Sequence, residues 1–151
     1  ENVLLINPQK AAIKLIDFGS SCFITERLHT YIQSRFYRAP EIILGIPYTC
    51  AIDMWSFGCI LYELYVGYPL FPGEDEKDHM ALMMEVKGIP PRSVLARSTR
   101  RKVFYDDDYN PIIVPNSRGK IRMPGSKTLA NLMNCSDKDF VDFIDVSNFF
   151  I

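Results

Sequence analysis

The stretch Leu15-Ile16-Asp17-Phe18-Gly19 decides how the rest of the chain is interpreted. The apolar residues 13–16, interrupted only by Lys14, end at an acid, an aromatic residue and a glycine. A carboxylate at the end of a strand, followed by a glycine that lets the chain turn away, suits a hard divalent cation such as Mg²⁺. The same tripeptide is also typical of a strand that simply enters a turn, so the neighbouring residues must decide.

The residues before this stretch predict a β-hairpin. Residues 3–6 form a short apolar run, residues 7–10 form a turn sequence, and residues 13–16 form the second strand. Because a hairpin brings the start of its first strand beside the end of its second, Asn2 is expected near Asp17. An amide oxygen and a carboxylate at one point could share a cation. The alternative is that Asn2 is an ordinary turn residue.

Residues 20–38 have no clean period and predict a long irregular surface segment, a kind of loop that is often functional. Tyr31 lies within it and is followed by Arg35 and Arg38. A phosphate on Tyr31 would add about −1.5 to −2 charge and oxygens that guanidinium groups could bind, which is enough to order a loop. The alternative is a solvated basic loop with an exposed tyrosine.

The longest apolar segment, residues 54–70, predicts a helix that is buried on every face. Asp53, or Thr49 before it, could cap this central helix, which occupies residues 50–67 and ends at Gly67. Trp55, Phe57 and Leu61 are interpreted as plain core residues. The segment is too short and too interrupted by polar residues to predict a membrane span.

Three further helical segments are predicted from caps and amphipathic patterns. A short helical turn over residues 41–44 stops at Gly45, and an amphipathic helix over residues 74–88 begins with acidic residues. A last helix over residues 137–146 follows Ser136 and Asp137, which are typical capping residues.

The basic residues are concentrated late in the chain. Ten of the 17 Lys and Arg lie in residues 87–127, and the acidic residues 106–108 interrupt them. Residues 92–101 are expected to form a short helix, followed by irregular chain or a small hairpin. The aromatic residues among the basic ones raise RNA contact as one interpretation. A solvated insert is the preferred one, so no nucleic-acid partner is expected.

The composition limits the class of protein further. With 151 residues and 48% hydrophobic residues, the chain can bury a core and is not expected to be disordered. A net charge of −1 gives no general attraction for nucleic acid or anionic membranes. Four cysteines without a C-x-x-C pair predict a reduced, intracellular protein. The absence of Met at the first position suggests a piece of a longer protein.

Three motifs occur in an order that resembles the protein kinases. Asn2, Asp17-Phe18-Gly19 and Ala39-Pro40-Glu41 match the pattern H-R-D-L-x-x-x-N, D-F-G and A-P-E. Residues 53–58 resemble the start of the central large-lobe helix, and the resemblance covers residues 1 to about 144. It implies a fold that is mainly α with a short β-hairpin, namely the C-terminal (large) lobe of a protein kinase only.

Longer stretches resemble the dual-specificity tyrosine-phosphorylation-regulated kinases, the DYRK family of the CMGC group. They are residues 17–22 (DFGSSC), 31–41 (YIQSRFYRAPE) and 67–74 (GYPLFPGE). Residues 92–134 look like the insert of the CMGC kinases. Residues 119–122 and the region of Cys135 resemble the cytoplasmic branch, which implies a cytoplasmic location, with the nucleus as the alternative.

The resemblance implies the cofactors ATP and Mg²⁺ and a role for each residue near them. Asp17 would ligate Mg²⁺ that bridges the ATP phosphates, and Asn2 would hold the second metal position. Tyr31 would be autophosphorylated, and Arg35 and Arg38 would receive its phosphate.

Other roles concern the protein substrate and the support of the site. Gln33 and Ser34 would shape the pocket beside a target Ser or Thr of a protein substrate. Asp53 would brace the catalytic loop, and Glu41 would pair with a late arginine. No membrane partner is implied.

The resemblance also indicates what lies outside these residues. The H-R-D aspartate would precede Asn2, and the arginine partner of Glu41 would follow the last residue, so a lobe truncated at both ends is expected. The parent would be a dual-specificity kinase that transfers the ATP γ-phosphate to proteins, and the isolated fragment would be inactive. The alternatives are a catalytically dead kinase lobe that acts as an interaction module, and an incomplete gene model.

Overall fold

The computed structural model describes residues 2–26 and 29–147, and their side chains up to residue 145. Glu1, part of the family resemblance, and residues 148–151, where the chain was expected to leave the family pattern, lie outside the described residues. The elements in chain order are β1 (Val3–Leu5), β2 (Ile13–Leu15), a 3₁₀ turn (Arg35–Tyr37), α1 (Pro40–Ile43), α2 (Ala51–Val66), α3 (Glu76–Lys87), α4 (Arg92–Leu95), α5 (Arg101–Phe104), α6 (Leu129–Met133) and α7 (Lys138–Ser147).

Strands β1 and β2 form the predicted antiparallel hairpin. Val3 pairs with Leu15 and Leu5 pairs with Ile13, so the hairpin is in the expected register. Asn7 makes the turn, because its side-chain oxygen accepts a hydrogen bond from the Gln9 amide at 2.9 Å. The apolar side chains of both strands are exposed.

Helix α2 is the central element, but the prediction that it is buried on every face is wrong. Trp55 is 2% exposed, whereas Phe57 is 40% and Leu64 is 77% exposed. Helices α6 and α7 and the 3₁₀ turn pack against α2. Phe57, interpreted from the sequence as a core residue, is among the exposed residues of the helix. The apolar composition therefore predicted the helix and not the extent of its burial.

Both ends of α2 involve residues that the sequence predicted as caps. The Thr49 hydroxyl accepts a hydrogen bond from the Ala51 amide at 3.2 Å. Gly67 ends the helix with a left-handed backbone (φ 89°), and its amide donates to the Glu63 carbonyl. Asp53 lies inside the first turn and does not cap the helix.

The centre of the core lies between α2, α3 and the segment that carries Phe71. The rings of Trp55 on α2 and Phe71 stack with centroids 5.7 Å apart, and His79 on α3 meets Phe71 edge-on. Asp75 caps α3 by accepting a hydrogen bond from the Asp78 amide at 2.8 Å, as the acidic residues before this helix predicted. Asp137 caps α7 in the same way through the Phe140 amide.

The insert differs from the prediction in two places. The helix predicted over residues 92–101 is only four residues long, α4, and the next helix, α5, begins at Arg101. Between them the Ser98 and Thr99 hydroxyls donate to the carbonyls of Leu44 and Gly45 and draw the chain out of helical geometry. Helix α6 lies in a segment expected to be irregular. Its first turn is capped by Thr128, and Asn134 ends it in a left-handed conformation.

A turn replaces any regular hairpin in the middle of the insert. Asp106 caps the turn by accepting hydrogen bonds from the amides of Asp108 and Asn110, and Tyr105 makes an isolated antiparallel bridge with Pro111. The acidic triplet is therefore used for local chain reversal. All four cysteines are free thiols. Within the described part of the chain, no helix is long and apolar enough to cross a bilayer.

Candidate functional site

The hairpin brings Asn2 and Asp17 to one end of the sheet. The Ile16 amide donates to the Asn2 carbonyl at 3.0 Å, which sets Asn2 across from the residue before Asp17. Both residues are exposed. Asp17 has a left-handed backbone (φ 62°), and its Oδ1 atom accepts a hydrogen bond from the Gly19 amide at 3.2 Å. The strained backbone turns the chain sharply after the carboxylate.

This pair suits Mg²⁺ better than a transition metal. Both side chains offer oxygen atoms, and Mg²⁺ in proteins is usually held by one or two carboxylates, water and substrate phosphates. Among the described residues, no group of three or more His, Cys, Asp or Glu residues could hold a metal by itself. The Asp17 carboxylate and the Asn2 amide oxygen would therefore share the ion with phosphate oxygens. Their role as metal ligands stays a prediction.

Gln33 connects the irregular segment to α2. Its side-chain nitrogen donates to the Ile52 carbonyl at 2.9 Å and to the Ser56 hydroxyl at 2.8 Å, and its side-chain oxygen accepts from the Ala39 amide at 2.8 Å. The Gln33 backbone is left-handed (φ 71°). Three hydrogen bonds from one partly buried side chain hold the segment beside the start of α1.

Ser34 follows Gln33 and is exposed at the start of the 3₁₀ turn. Its carbonyl accepts a hydrogen bond from the Tyr37 amide. The Tyr37 hydroxyl donates to the Glu63 carboxylate at 2.6 Å, and this bond to the carboxylate raises the pKa of Tyr37 to about 12. The Gln33 side chain is therefore hydrogen-bonded to the protein, whereas Ser34 is exposed to solvent. Their role in a substrate pocket stays a prediction.

Arg38 is buried and lies against Tyr31. Its guanidinium group donates to the Tyr31 hydroxyl at 2.6 Å and to the carbonyls of Ile32 and Gln33 at 3.0 and 2.8 Å. The guanidinium carbon is 4.1 Å from the centroid of the Tyr31 ring. These bonds fold the segment around the Arg38 side chain while leaving Tyr31 51% exposed.

Two residues that the sequence analysis did not select also face Tyr31. Arg100, from the insert, donates to both carboxylate oxygens of Glu76 at 2.7 and 2.6 Å, and its guanidinium carbon is 5.9 Å from the Tyr31 ring centroid. Burial and a hydrogen bond to the Glu76 carboxylate raise the pKa of Tyr31. The Arg100 guanidinium lowers the pKa of Glu76.

Arg35 has a different partner from Arg38. Its guanidinium group donates to the Glu74 carbonyl at 2.6 Å, in the loop before α3. Among the described residues, the charged side chains that lie near Tyr31 are therefore those of Arg38, Glu76 and Arg100, whereas Arg35 lies beside α3. No local pattern reveals Arg100, because it lies far along the chain from Tyr31. That Arg35 binds the phosphate of Tyr31 stays a prediction.

Glu41 and Asp53, the two acidic residues expected to support the site, differ in their surroundings. Glu41 on α1 is 6% exposed, and burial raises the pKa of its carboxyl group. Among the described residues, no basic side chain forms an ion pair with it. Asp53 is exposed and lines a cavity of 130 Å³ together with Ser20, Cys22 and Tyr48. A bracing role for Asp53 stays a prediction.

The geometry of these motifs belongs to a known class. The family model described as the protein kinase domain matches residues 1–143. The chain therefore belongs to the protein kinase domain family. The match includes the hairpin with Asn2 and Asp17, the segment around Tyr31 and Arg38, and the helices that follow.

Individual relatives narrow the class. The chain is 52% identical over 144 residues to dual specificity tyrosine-phosphorylation-regulated kinase 2 of Drosophila melanogaster, covering 95% of this chain and 20% of the relative. It is 51% identical to dual specificity tyrosine-phosphorylation-regulated kinase 4 of Homo sapiens, covering 95% of this chain and 28% of the relative. It is 50% identical to the DYRK-family kinase pom1 of Schizosaccharomyces pombe, covering 95% of this chain and 13% of the relative. The resemblance to the DYRK family is confirmed, and the chain spans less than a third of each relative.

Proposed function

We propose that this chain is the large-lobe part of a dual-specificity protein kinase. The complete protein transfers the γ-phosphoryl group of ATP to Ser or Thr residues of protein substrates in the cytoplasm, and it phosphorylates its own Tyr31. The observation that carries the proposal is the hairpin register, which aligns Asn2 with the residue before Asp17 at the end of the sheet. Phosphoryl transfer depends on the positioning of metal ions and phosphates, and these two residues supply suitable oxygen ligands there.

The large-lobe assignment is supported by the exposed apolar surface of the hairpin. Exposed apolar side chains in this number mark a surface that another part of a protein covers. We propose that a small lobe, which carries the rest of the ATP site, covers them. The exposed apolar residues of the hairpin and of the turn after it are Val3, Leu4, Leu5, Ile6, Ile13, Leu15, Ile16 and Phe18.

Mg²⁺ and ATP would be held at the end of the hairpin. The bound metal ion neutralises the charge that develops on the phosphate oxygens during transfer. Asp17 would supply a carboxylate oxygen, and the sharp turn at this residue keeps the backbone away from the ion. Asn2 would supply a neutral oxygen for the second metal position.

The substrate would lie against the segment that Gln33 holds. Because the Gln33 side chain is bonded to α2 and to Ala39, the exposed Ser34 beside it has a fixed backbone position. A rigid polar surface of this kind suits an extended peptide that presents a hydroxyl group. We propose that the target Ser or Thr approaches the ATP phosphates along this surface.

The proposal is tested with the full-length protein, Mg-ATP and a Ser/Thr-containing peptide, followed by mass spectrometry. We expect phosphate on the peptide and on Tyr31. The Tyr31→Phe variant is expected to phosphorylate the peptide more slowly, because Arg38 loses both its hydroxyl partner and any phosphate. Tyr68→Phe is the matched control, since Tyr68 is 73% exposed.

Two results would contradict the proposal. Absence of phosphate on both the peptide and Tyr31 would exclude a kinase of this specificity. Equal peptide phosphorylation by wild type, Tyr31→Phe and Tyr68→Phe would exclude a role for Tyr31 in activity.

A further inference from the structure

A cavity of 540 Å³, lined in part by Tyr31, opens between α1, α3 and the insert. Tyr31, Glu76 and Arg100 line it together with Gly45 and Ile42. The cavity therefore lies where a group added to the Tyr31 oxygen could be accommodated. Its two charged walls are the Glu76 carboxylate and the Arg100 guanidinium.

In the unmodified protein, Glu76 is the partner of Arg100. Both of its carboxylate oxygens accept hydrogen bonds from the Arg100 guanidinium group, and the carboxylate lies close enough to Tyr31 to raise the pKa of the tyrosine. Arg38 donates to the same hydroxyl from the buried side. The tyrosine is therefore held between one carboxylate and one guanidinium group before any modification.

Phosphorylation of Tyr31 changes which of the neighbouring charged groups the residue attracts. A bond forms between the γ-phosphorus of ATP and the Tyr31 oxygen, the bond to ADP breaks, and the phenolic proton leaves to solvent. The tyrosine then carries about −1.5 to −2 charge and no longer has a hydroxyl proton to donate. The phosphate repels the Glu76 carboxylate and attracts both guanidinium groups.

We propose that Arg100 exchanges its partner on phosphorylation of Tyr31. It releases Glu76 and binds the phosphate on Tyr31 together with Arg38. This inference rests on the proposed phosphorylation of Tyr31. Two guanidinium charges match the charge of the phosphate, whereas the carboxylate would leave an excess of negative charge. Glu76 is 24% exposed in its side chain and lies in the first turn of α3, so its charge remains favourable there after the exchange.

The exchange would couple the phosphate to the insert. Arg100 also donates to the Ile43 carbonyl at 2.8 Å, and its amide donates to the Leu44 carbonyl at 3.3 Å. The neighbouring Thr99 hydroxyl is bonded to the Gly45 carbonyl, and a Cβ atom on Gly45 would meet it at 2.3 Å. This close packing fixes the backbone of Arg100, so only its side chain has to move.

The experiment uses full-length protein with phosphotyrosine installed at position 31 during translation, so that it does not depend on the protein's own activity. The first measurement is the rate at which an added tyrosine phosphatase removes the phosphate. The second is the pKa of the phosphate, ordinarily about 6, followed by ³¹P nuclear magnetic resonance. Failure to autophosphorylate with ATP would count against the proposed function alone.

We expect Arg100→Ala to be dephosphorylated roughly tenfold faster than wild type and to have a higher phosphate pKa, since a charge-assisted hydrogen bond is lost. Arg100→Lys, which keeps the charge without the planar fork, is expected to lie between the two. Glu76→Gln is expected to change both quantities in the opposite direction, because it removes the competing charge. The exposed Arg97→Ala in the same insert is the matched control.

Either of two results would overturn the inference. One is that Arg100→Ala and Arg97→Ala give the same dephosphorylation rate and the same phosphate pKa. The other is that Glu76→Gln shifts both quantities in the same direction as Arg100→Ala, which would mean that the pair acts only as a structural ion pair.

Discussion

Gln33 shows how one side chain sets the conformation of the segment that carries Tyr31. A left-handed backbone is unfavourable for a residue with a Cβ atom, by on the order of 1–3 kcal/mol, unless other contacts offset it. The hydrogen bonds of the Gln33 side chain to Ile52, Ser56 and Ala39 supply that offset. The family motif pointed to Gln33, but no property of the residue itself predicts its backbone conformation.

His79 is a residue for which a pH dependence can be stated. It is fully buried, and its Nδ1 atom is 2.8 Å from the Phe71 carbonyl. Burial lowers the pKa of His79 from 6.5 to about 4. The unfolded chain therefore takes up a proton near pH 6.5, and the folded protein does so only near pH 4.

The contribution of His79 to stability should be complete above pH 6.5 and should fall as the pH drops toward 4. The loss amounts to about 3 kcal/mol at pH 4. Urea unfolding of the full-length protein at several pH values measures it. In His79→Gln this part of the pH dependence should vanish, whereas His29→Gln, at an exposed histidine, should retain it. Equal pH slopes for all three proteins would refute the assignment.

At the scale of elements, the predictions were best where a long pattern and a cap coincide. The helices α2 and α3 lie within the predicted ranges, α7 is displaced by one residue, and Asp75 and Asp137 cap α3 and α7. The 3₁₀ turn and α6 were not predicted, because segments of three and five residues are too short to show a period. The 3₁₀ turn packs against α2 and α3, and α6 packs against α2 and α7.

Helix α3 holds the insert through buried ion pairs. Arg122 donates to both carboxylate oxygens of Asp78 at 2.7 and 3.3 Å and lies 3.5 Å from Glu85. Lys127 also binds Glu85, at 3.0 Å. Backbone bonds from Gly125 to Met84 and from Lys127 to Glu85 continue the contact. The insert is thus attached to the helix by charge and backbone together.

Removal of Arg122 tests this attachment. Arg122→Ala should reduce the free energy of unfolding by about 3–5 kcal/mol, because the buried Asp78 carboxylate would lose its cation, whereas Glu85 would keep Lys127. Urea denaturation of the full-length protein gives the value. Arg118→Ala, at an exposed arginine of the same insert, should change it by less than about 0.5 kcal/mol. A similarly small change for Arg122→Ala would show that the ion pairs do not hold the insert.

At the scale of the whole molecule, the order of the motifs revealed the family, but the sequence could not reveal which distant residues meet. Arg100 reaches Glu76 and Tyr31, and Arg122 reaches Asp78, across long separations in the chain. These pairs depend on how the insert folds over α3, which has no local sequence signal. Asn2 and Asp17 were different, because hairpin geometry alone predicts that they are neighbours.

The central claim is that Asp17 holds the metal ion for phosphoryl transfer. The most direct test is kcat/KM for transfer from Mg-ATP to a Ser/Thr peptide, measured with the full-length protein. Asp17→Asn should lower it at least about 100-fold, a loss of about 3 kcal/mol of transition-state stabilisation. Asp108→Asn, at an exposed aspartate of the insert, should match wild type. Retention of wild-type kcat/KM by Asp17→Asn would contradict the account.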